Sequence, residues 1–347
     1  MNVRTGTERW PMVLAIETSC DETAVALVQG PHVLASEIAS QIELHRPYGG
    51  VVPELASRNH NLTLPPLVRL LLDRAGIGPQ QLEAVAATAG PGLASSLLIG
   101  NTFGKALSLA LGCPFFAVNH LEGHLLSPCL GRIGSVPPSA ALVVSGGHTL
   151  LVDVRGAGDY RLLGSTRDDA AGEAFDKVAK MLGLPYPGGP VIDRLAREGN
   201  PAAYALPRSM IGSGDFQFSF SGLKTAVHYL LPKIPPPVEG HLPDICASFQ
   251  EAVIEVLVAK TMAAARATGR KLVTVSGGVS CNGRLRQSMT AACERAGLDL
   301  WLCSPGYGTD NAAMIGFVAA TRLAAGRAGD PLEGDIDPNL RLESWAG

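Results

Sequence analysis

Two apolar segments in this chain of 347 residues each fold back through a short turn of small polar residues. The first runs from residue 12 to 28 with Thr18 and Ser19 in its turn, and the second from 140 to 154 with a turn at 145–149. Each pattern predicts a strand, a tight turn and a second strand. Hydroxyls and backbone amides in such turns can approach a phosphate. The recurrence predicts an α/β fold of two duplicated domains with a nucleotide cleft between them.

Composition narrows the class of protein. Hydrophobic residues make up 46% of the chain and aromatic residues 5%, with 40 glycines, which is typical of an α/β enzyme rich in tight turns. A net charge of −3 excludes a global basic field, so a nucleic acid would be bound through local patches or a partner. Seven scattered cysteines without a C-x-x-C pair fit reduced thiols. Residues 1–10 lack the apolar core of a secretory signal, and charge and glycine interrupt the apolar residues 93–118, so we expect a cytoplasmic protein without a membrane span.

A pair of histidines, His120 and His124, follows a predicted strand at residues 114–118. Residues four apart stack on one face of a helix, where both imidazoles can reach one ion. Glu122 lies two residues after His120, about 200° round the helix, so the pair does not match the H-E-x-x-H pattern of metalloproteases. The spacing alone also fits two polar helix residues that hydrogen-bond to backbone, and a metal site would need a third ligand.

Asp310 is a candidate for that ligand. It precedes a predicted helix at residues 312–325, at a junction between a strand and a helix. Aspartate is a common N-cap residue, and the sequence leaves the capping and ligand interpretations open.

Other polar residues follow predicted turns and could contact a nucleotide. Four acids near a helix start could cap it, or could bind ribose hydroxyls or a cation. Gly189 and Asp193 share a rigid turn and helix start, and Asn282 follows a Gly-Gly turn after a strand. The four acids are Asp168, Asp169, Glu173 and Asp176.

A helix is predicted from Pro53, and Pro65-Pro66 should end or kink it before a second segment to about Leu72. Arg58 and His60 are expected at exposed polar positions there. Arg58 and Lys224 are basic candidates for nucleic-acid contact, but solvated surface charge is the favoured interpretation of either residue.

Eight motifs in one order make the chain resemble the TsaD family, the catalytic subunits of bacterial tRNA N6-adenosine threonylcarbamoyltransferase, also called Gcp or YgjD. The motifs are IETSCDET (16–23), YGGVVPELASR (48–58), NHLEGH (119–124), VSGGHT (144–149), DDAAGEAFDK (168–177), FSFSGLK (218–224), VSGGVSCNGRLR (275–286) and TDNAAMIG (309–316). The resemblance implies an actin-like, Hsp70-like (ASKHA) ATPase fold. We expect residues 1–117 to form the first domain and 118–320 the second, with a C-terminal helix over 321–347 returning to the first.

The resemblance also implies a site. One divalent metal ion, Fe²⁺ in preference to Zn²⁺, would be held by His120, His124 and Asp310. The substrate pocket carries over onto Val143, Val144, Ser145, Gly146, Gly147, Asp176, Gly189, Asp193 and Asn282. Asp21 is a candidate catalytic residue, with Glu22 beside it as a second candidate base.

The implied reaction moves the threonylcarbamoyl group of threonylcarbamoyl-adenylate to N6 of adenosine 37, next to the anticodon, in tRNAs that read codons beginning with A. AMP is released. The implied partners are a second actin-like subunit of the TsaB type and a small ATPase of the TsaE type. A non-catalytic actin-like scaffold and a metallopeptidase, the older glycoprotease interpretation, are the alternatives. A sugar kinase on the same fold would leave the histidine pair unexplained.

The chain departs from the family pattern in a few places. About ten residues extend the N-terminus, Ser280-Cys281 stand where smaller residues are expected, and the role of Arg167 before the acidic motif is open.

Overall fold

The computed structural model describes residues 10–345 and contains two five-stranded sheets of the same topology. In the first sheet the order is β3-β2-β1-β4-β5, where β1, β2 and β3 are antiparallel and β1, β4 and β5 are parallel. The second sheet, in the order β10-β9-β6-β7-β8, repeats this arrangement. The strands are β1 (Met12–Glu17), β2 (Glu22–Gln29), β3 (His32–Ser40), β4 (Ala84–Gly90), β5 (Phe115–Asn119), β6 (Ser139–Val144), β7 (Thr149–Gly156), β8 (Asp159–Ser165), β9 (Leu272–Ser276) and β10 (Asp299–Leu302). The duplication predicted from the two hairpins is present.

Helices cover both sheets. They are α1 (Ile42–His45), α2 (Pro53–Ala75), α3 (Ala94–Leu111), α4 (His120–Leu126), α5 (Ala171–Met181), α6 (Gly188–Ala196), α7 (Ser221–Leu230), α8 (Leu242–Thr268), α9 (Gly283–Ala296) and α10 (Ala312–Ala324). None of these helices is both long enough and apolar enough to cross a lipid bilayer.

Helix α2 does not end at Pro65-Pro66, as one of the two predicted outcomes required, because it continues through both prolines to Ala75. The alternative outcome, a kink at these prolines, stays a prediction. Leu64, Val68 and Leu71 on one face are buried in the core of the first sheet. Burial of these side chains offsets the loss of the two backbone hydrogen bonds that the prolines cannot donate.

Helix α10 joins the two halves of the molecule. It follows the second sheet in the chain, yet it packs against β1 and β2 of the first sheet. Residues 312–320 are all buried, and with α4 they form a core shared by side chains from both sheets. A helical segment that is apolar on every side has to be buried on every side, and the position of residues 312–320 between the two sheets provides that burial.

The expected helix over 321–347 is wrong. Helix α10 ends at Ala324, and residues 325–345 contain no helix. Gly326, Pro331, Gly334 and Pro338 explain the difference, because glycine and proline interrupt a helix. The boundary between residues 117 and 118 stays a prediction, and it falls inside β5. The N-terminal extension lies outside the described residues, apart from Trp10.

Candidate metal and nucleotide site

The short helix α4 presents the histidine pair. Strand β5 ends at Asn119, whose side-chain oxygen accepts hydrogen bonds from the amides of Leu121 (2.8 Å) and Glu122 (3.3 Å). This cap starts the helix directly after the strand. All seven residues of α4 are buried, and the rings of His120 and His124 are 4.7 Å apart with an 86° angle between their planes.

Asp310 lies next to both histidines, although it is distant from them in the sequence. Its Oδ1 lies 3.4 Å from Nε2 of His120 and 3.0 Å from Nε2 of His124. The capping role falls to the next residue, because Oδ1 of Asn311 accepts the amide hydrogen of Met314 at 3.0 Å. Of the two interpretations that the sequence left open, the structure gives the cap to Asn311 and turns Asp310 towards the histidines.

Buried carboxylates set the electrostatics of this cluster. Glu17, at the end of β1, accepts a hydrogen bond from Nδ1 of His120 at 3.0 Å and one from the Thr88 hydroxyl at 2.6 Å. Burial alone would lower the pKa of His120, but Asp310 and Glu17 raise it well above its usual value. Burial would likewise raise the pKa of Asp310, but His120 and His124 lower it well below its usual range.

The cluster fits a divalent transition metal. One ligand atom from each of His120, His124 and Asp310 lies within 4.8 Å of the others. Two imidazoles and a carboxylate form a donor set typical of zinc and of non-haem iron(II). The Glu17 carboxylate on Nδ1 of His120 leaves Nε2 of that ring for the ion, as an outer carboxylate does in many metal sites.

A cavity of about 1000 Å³ opens beside the cluster. Its lining combines the metal candidates His120 and Asp310 with most of the predicted substrate residues, and Asp21 and Glu22 also line it. The predicted substrate residues at its surface are Ser145, Gly146, Gly147, Asp176, Gly189, Asp193 and Asn282. Val143 and Val144 are fully buried side chains of β6, and His124 is buried behind His120, so these three do not line the cavity.

Several of these polar side chains also hold local structure. Asp176 accepts the amide hydrogen of Gly188 at 2.7 Å and so caps α6. The Asn282 oxygen caps α9 through the amide of Leu285 (2.9 Å), while its amide group donates to Gln250 at 2.6 Å. Asp193 differs, because one oxygen pairs with Arg197 (3.0 Å) while the other is buried without a partner among the described residues.

Sequence reasoning missed residues that the structure places at the site. His148 lines the cavity, and burial, with His120 and His124 nearby, lowers its pKa to about 4. His148 directly follows Gly146 and Gly147 in the second turn, and the sequence analysis considered that turn only for its backbone amides and hydroxyls. Glu17 was missed because it ends an apolar run. Burial, then Asp310 and Asp21, raise the pKa of Glu22 to about 10, which favours its protonated form, and its role as a base stays a prediction.

Other predicted positions fall elsewhere. His60 is fully buried, so its predicted exposure is wrong. Arg58 is exposed and pairs with Glu54 at 3.1 Å, which favours solvated charge over nucleic-acid contact. Arg167, whose role was open, pairs with Asp215 at 3.2 Å. At the Ser280-Cys281 departure, Cys281 lines the cavity and Ser280 is buried.

Comparison with known proteins identifies this arrangement. The family model described as TsaD, tRNA N6-adenosine threonylcarbamoyltransferase, matches residues 32–317. The chain belongs to the TsaD family. A tRNA N6-adenosine threonylcarbamoyltransferase from Anaeromyxobacter dehalogenans (strain 2CP-C) is 52% identical over 95% of this chain and 99% of its own length. One from Syntrophotalea carbinolica is 50% identical over 96% of each chain.

Solved structures agree on the fold. Component A of (R)-2-hydroxyglutaryl-CoA dehydratase from Acidaminococcus fermentans covers 91% of this chain and 99% of its own with a TM-score of 0.54 at 14% identity. Full-length HypF covers 93% of this chain and 48% of its own with a TM-score of 0.60 at 13% identity. The TsaD chain therefore has two α/β domains of the actin-like, Hsp70-like fold, as predicted. It is an enzyme that transfers threonylcarbamoyl groups to tRNA.

Proposed function

We propose that this TsaD chain transfers the threonylcarbamoyl group from threonylcarbamoyl-adenylate to N6 of adenosine 37, in tRNAs that read codons beginning with A. The observation that carries the proposal is the convergence of His120, His124 and Asp310 at the edge of a cavity that also contains the Ser145–Gly147 turn. These three residues would hold one divalent metal, Fe²⁺ in preference to Zn²⁺. When bound, such an ion supplies Lewis-acid polarisation of the carbamoyl carbonyl.

The protein's own groups would bind and orient the adenylate. Gly146 and Gly147 have open space where a Cβ would lie, so their backbone can approach a phosphate closely. The unpartnered oxygen of Asp193 can accept a hydrogen bond from a ribose hydroxyl or a base amine. Val143 and Val144 would act through backbone, and Asp176, Gly189 and Asn282 would shape the wall that faces the nucleotide.

Transfer requires one bond to form and one to break. N6 of the adenosine attacks the carbamoyl carbon, and the bond from that carbon to the phosphate oxygen breaks as AMP leaves with the electron pair. Asp21 is our candidate acceptor for the amine proton, because it lines the cavity beside the metal residues. The protonated Glu22 next to it can donate a hydrogen bond to the substrate.

We further propose that the enzyme works in the cytoplasm with a second actin-like subunit of the TsaB type and a small ATPase of the TsaE type. The net charge of −3 supports a requirement for partners, because the chain alone offers no global basic field to tRNA. A peptidase role gains no support from Glu122, whose buried carboxylate is occupied by three hydrogen-bond donors.

Alanine at His120 and His124 together should abolish both metal binding and transfer of labelled threonylcarbamoyl to unmodified tRNA, with the two partners present. Asp310→Ala should do the same. His228→Ala and Asp299→Ala, at exposed positions on α7 and β10, are the matched controls, because they remove the same side-chain types and leave the three ligands in place. Metal content after dialysis and the rate of label transfer are the measurements. Wild-type metal content and rate in the double histidine variant would disprove the assignment.

A further inference from the structure

Glu122 lies on α4 between the two histidines but about 200° round the helix from His120. Its side chain is 2% exposed. The carboxylate accepts three hydrogen bonds, from the Tyr160 hydroxyl at 3.0 Å, the Trp345 indole at 2.7 Å and the Arg322 guanidinium at 2.9 Å. Both of its oxygens are therefore occupied on the side of the helix that faces away from the cavity.

The three donors come from different parts of the molecule. Tyr160 belongs to β8 of the second sheet, Arg322 to α10, and Trp345 to the segment after the last helix. Arg322 also donates to the carbonyl of Ala117 in β5 at 3.1 Å. Glu122 thus ties α4 to the first sheet, through α10, and to the second sheet.

The segment of residues 337–345, which we call the C-terminal strap, runs from the first sheet past α4 to the second sheet. The amide of Asp337 donates to the carbonyl of Ala89 at 2.8 Å, and Pro338 accepts from the amide of Gly92 at 3.1 Å, beside the cavity wall. The carbonyl of Arg341 accepts from the side chain of Asn119, the cap of α4, at 2.8 Å.

The strap ends on the second sheet. The amide of Trp345 donates to the carbonyl of Gly158 at 2.8 Å, and the Ser344 hydroxyl donates to the carbonyl of Tyr160 at 3.0 Å. A Cβ at Gly158 would clash with the indole, so the ring lies directly on this turn. One segment therefore contacts the cavity loop, the cap of α4 and, through Trp345, Glu122 itself.

A helix of seven residues cannot fix its own orientation, because so few backbone hydrogen bonds barely offset the entropy of nucleation. Its tertiary contacts must supply that orientation. We propose that Glu122 is a positioning residue for the metal ligands, and that it couples metal binding at His120 and His124 to docking of the C-terminal strap. The inference rests on the proposed metal site. By thermodynamic reciprocity, a docked strap tightens metal binding and bound metal tightens docking.

The first measurement is the Zn²⁺ affinity of the full chain, by competition with a chromophoric chelator. Glu122→Gln removes the charge at nearly constant shape, and Trp345→Phe keeps a ring but removes the indole donor. We expect each to weaken Zn²⁺ binding about tenfold, the scale on which changes outside the ligand shell act. Glu294→Gln, at an exposed position on α9, and Trp10→Phe are matched controls with expected wild-type affinity. Far-UV circular dichroism at the assay temperature verifies that each variant is folded.

The second measurement tests the reverse direction. In a Trp10→Phe, Trp301→Phe background, Trp345 is the remaining tryptophan of three, and acrylamide quenching reports its accessibility. Zn²⁺ should reduce the quenching constant in this background, and should leave it unchanged once Glu122→Gln is added. A general loss of stability would lower the unfolding temperature without producing this dependence on metal.

The outcomes separate the two proposals. If the wild-type chain binds no Zn²⁺ or Fe²⁺, the metal site fails and the coupling fails with it. If wild type binds metal while Glu122→Gln and Trp345→Phe bind it within twofold of wild type, the coupling alone is overturned. If Glu122→Gln does not fold, Trp345→Phe and the quenching measurement still decide the matter.

Discussion

His60 shows how one buried residue determines a turn at the cavity. Its Nε2 donates to the carbonyl of Cys20 at 2.9 Å, and its Nδ1 accepts from the Thr23 hydroxyl at 2.8 Å. Both bonds are satisfied by a neutral ring with the proton on Nε2. Burial lowers the pKa of His60 below its usual value of 6.5. The first hairpin turn, which carries Asp21 and Glu22, is therefore held by an uncharged imidazole on α2.

This arrangement predicts a pH dependence of stability. Because the pKa of His60 is lower in the folded state, the unfolded chain binds the proton more tightly. The contribution of His60 is fully present above pH 6.5 and is lost as the pH falls from there towards the folded-state pKa. His60→Gln should therefore reduce the slope of the free energy of unfolding against pH below 6.5, measured by urea denaturation. His228→Gln, at an exposed position, should keep the wild-type slope, and an equal slope in both variants would contradict this account.

At the scale of elements, the start of α5 rests directly on the turn of the second hairpin. The amide of Gly172 donates to the carbonyl of Ser145 at 3.2 Å. A Cβ on Gly172 would lie 2.6 Å from that carbonyl oxygen and 2.9 Å from Cα of Gly146. Since both neighbours are backbone, they cannot rotate away, and the glycine fixes how closely the helix approaches the turn.

Gly172→Ala should displace the Ser145–Gly147 turn. We expect the KM for threonylcarbamoyl-adenylate to rise at least tenfold, with a loss of about 1–3 kcal/mol in the free energy of unfolding from overpacking. Gly222→Ala on α7 is the matched control, because its nearest contact would be 3.8 Å from the Ser209 hydroxyl. That control should keep the wild-type KM and stability. An unchanged KM in Gly172→Ala would show that the turn does not bind the adenylate.

Local pattern predicted most of these elements, and non-local contacts explain the failures. The two apolar hairpins, the glycine turns and the strand before α4 follow from residues adjacent in sequence. The burial of His60 does not, because its partner Thr23 is 37 residues away. The sequence also could not show whether Asp310 or Asn311 caps the helix. Both residue types cap helices, and the backbone conformation decides which of the two does so.

On the scale of the whole molecule, α10 holds the two halves together. Residues 312–320 of this helix are all buried, and the sequence does not indicate which sheet they cover. Val28 and Ala15 of the first sheet lie so near Gly316 that an added Cβ would be 2.6 Å from Cγ2 of Val28 and 3.1 Å from Cβ of Ala15. The side chains of the sheet therefore leave no room for a side chain at Gly316.

Gly316→Ala should lower the free energy of unfolding by about 1–3 kcal/mol, because Val28 is stiff at χ1 and cannot move aside freely. The loss should affect both halves equally, since α10 contributes to the core that they share. Urea unfolding measures this in two single-tryptophan backgrounds, one that keeps Trp10, next to the first sheet, and one that keeps Trp301, on β10. Gly212→Ala, with open space at its Cβ position, is the control. Destabilisation seen by only one tryptophan would contradict a shared core.

The metal residues are far apart in the chain, and this separation affects how the protein is made. His124 and Asp310 are 186 positions apart, and both sheets are translated before the carboxylate is. Domains generally fold in order from the N-terminus during synthesis. A nascent chain therefore carries the histidine pair long before it has a complete ligand set. An ion held by these three residues, as we propose, can meet a complete ligand set only after Asp310 has been synthesised, and a product that terminates before this residue would lack the carboxylate.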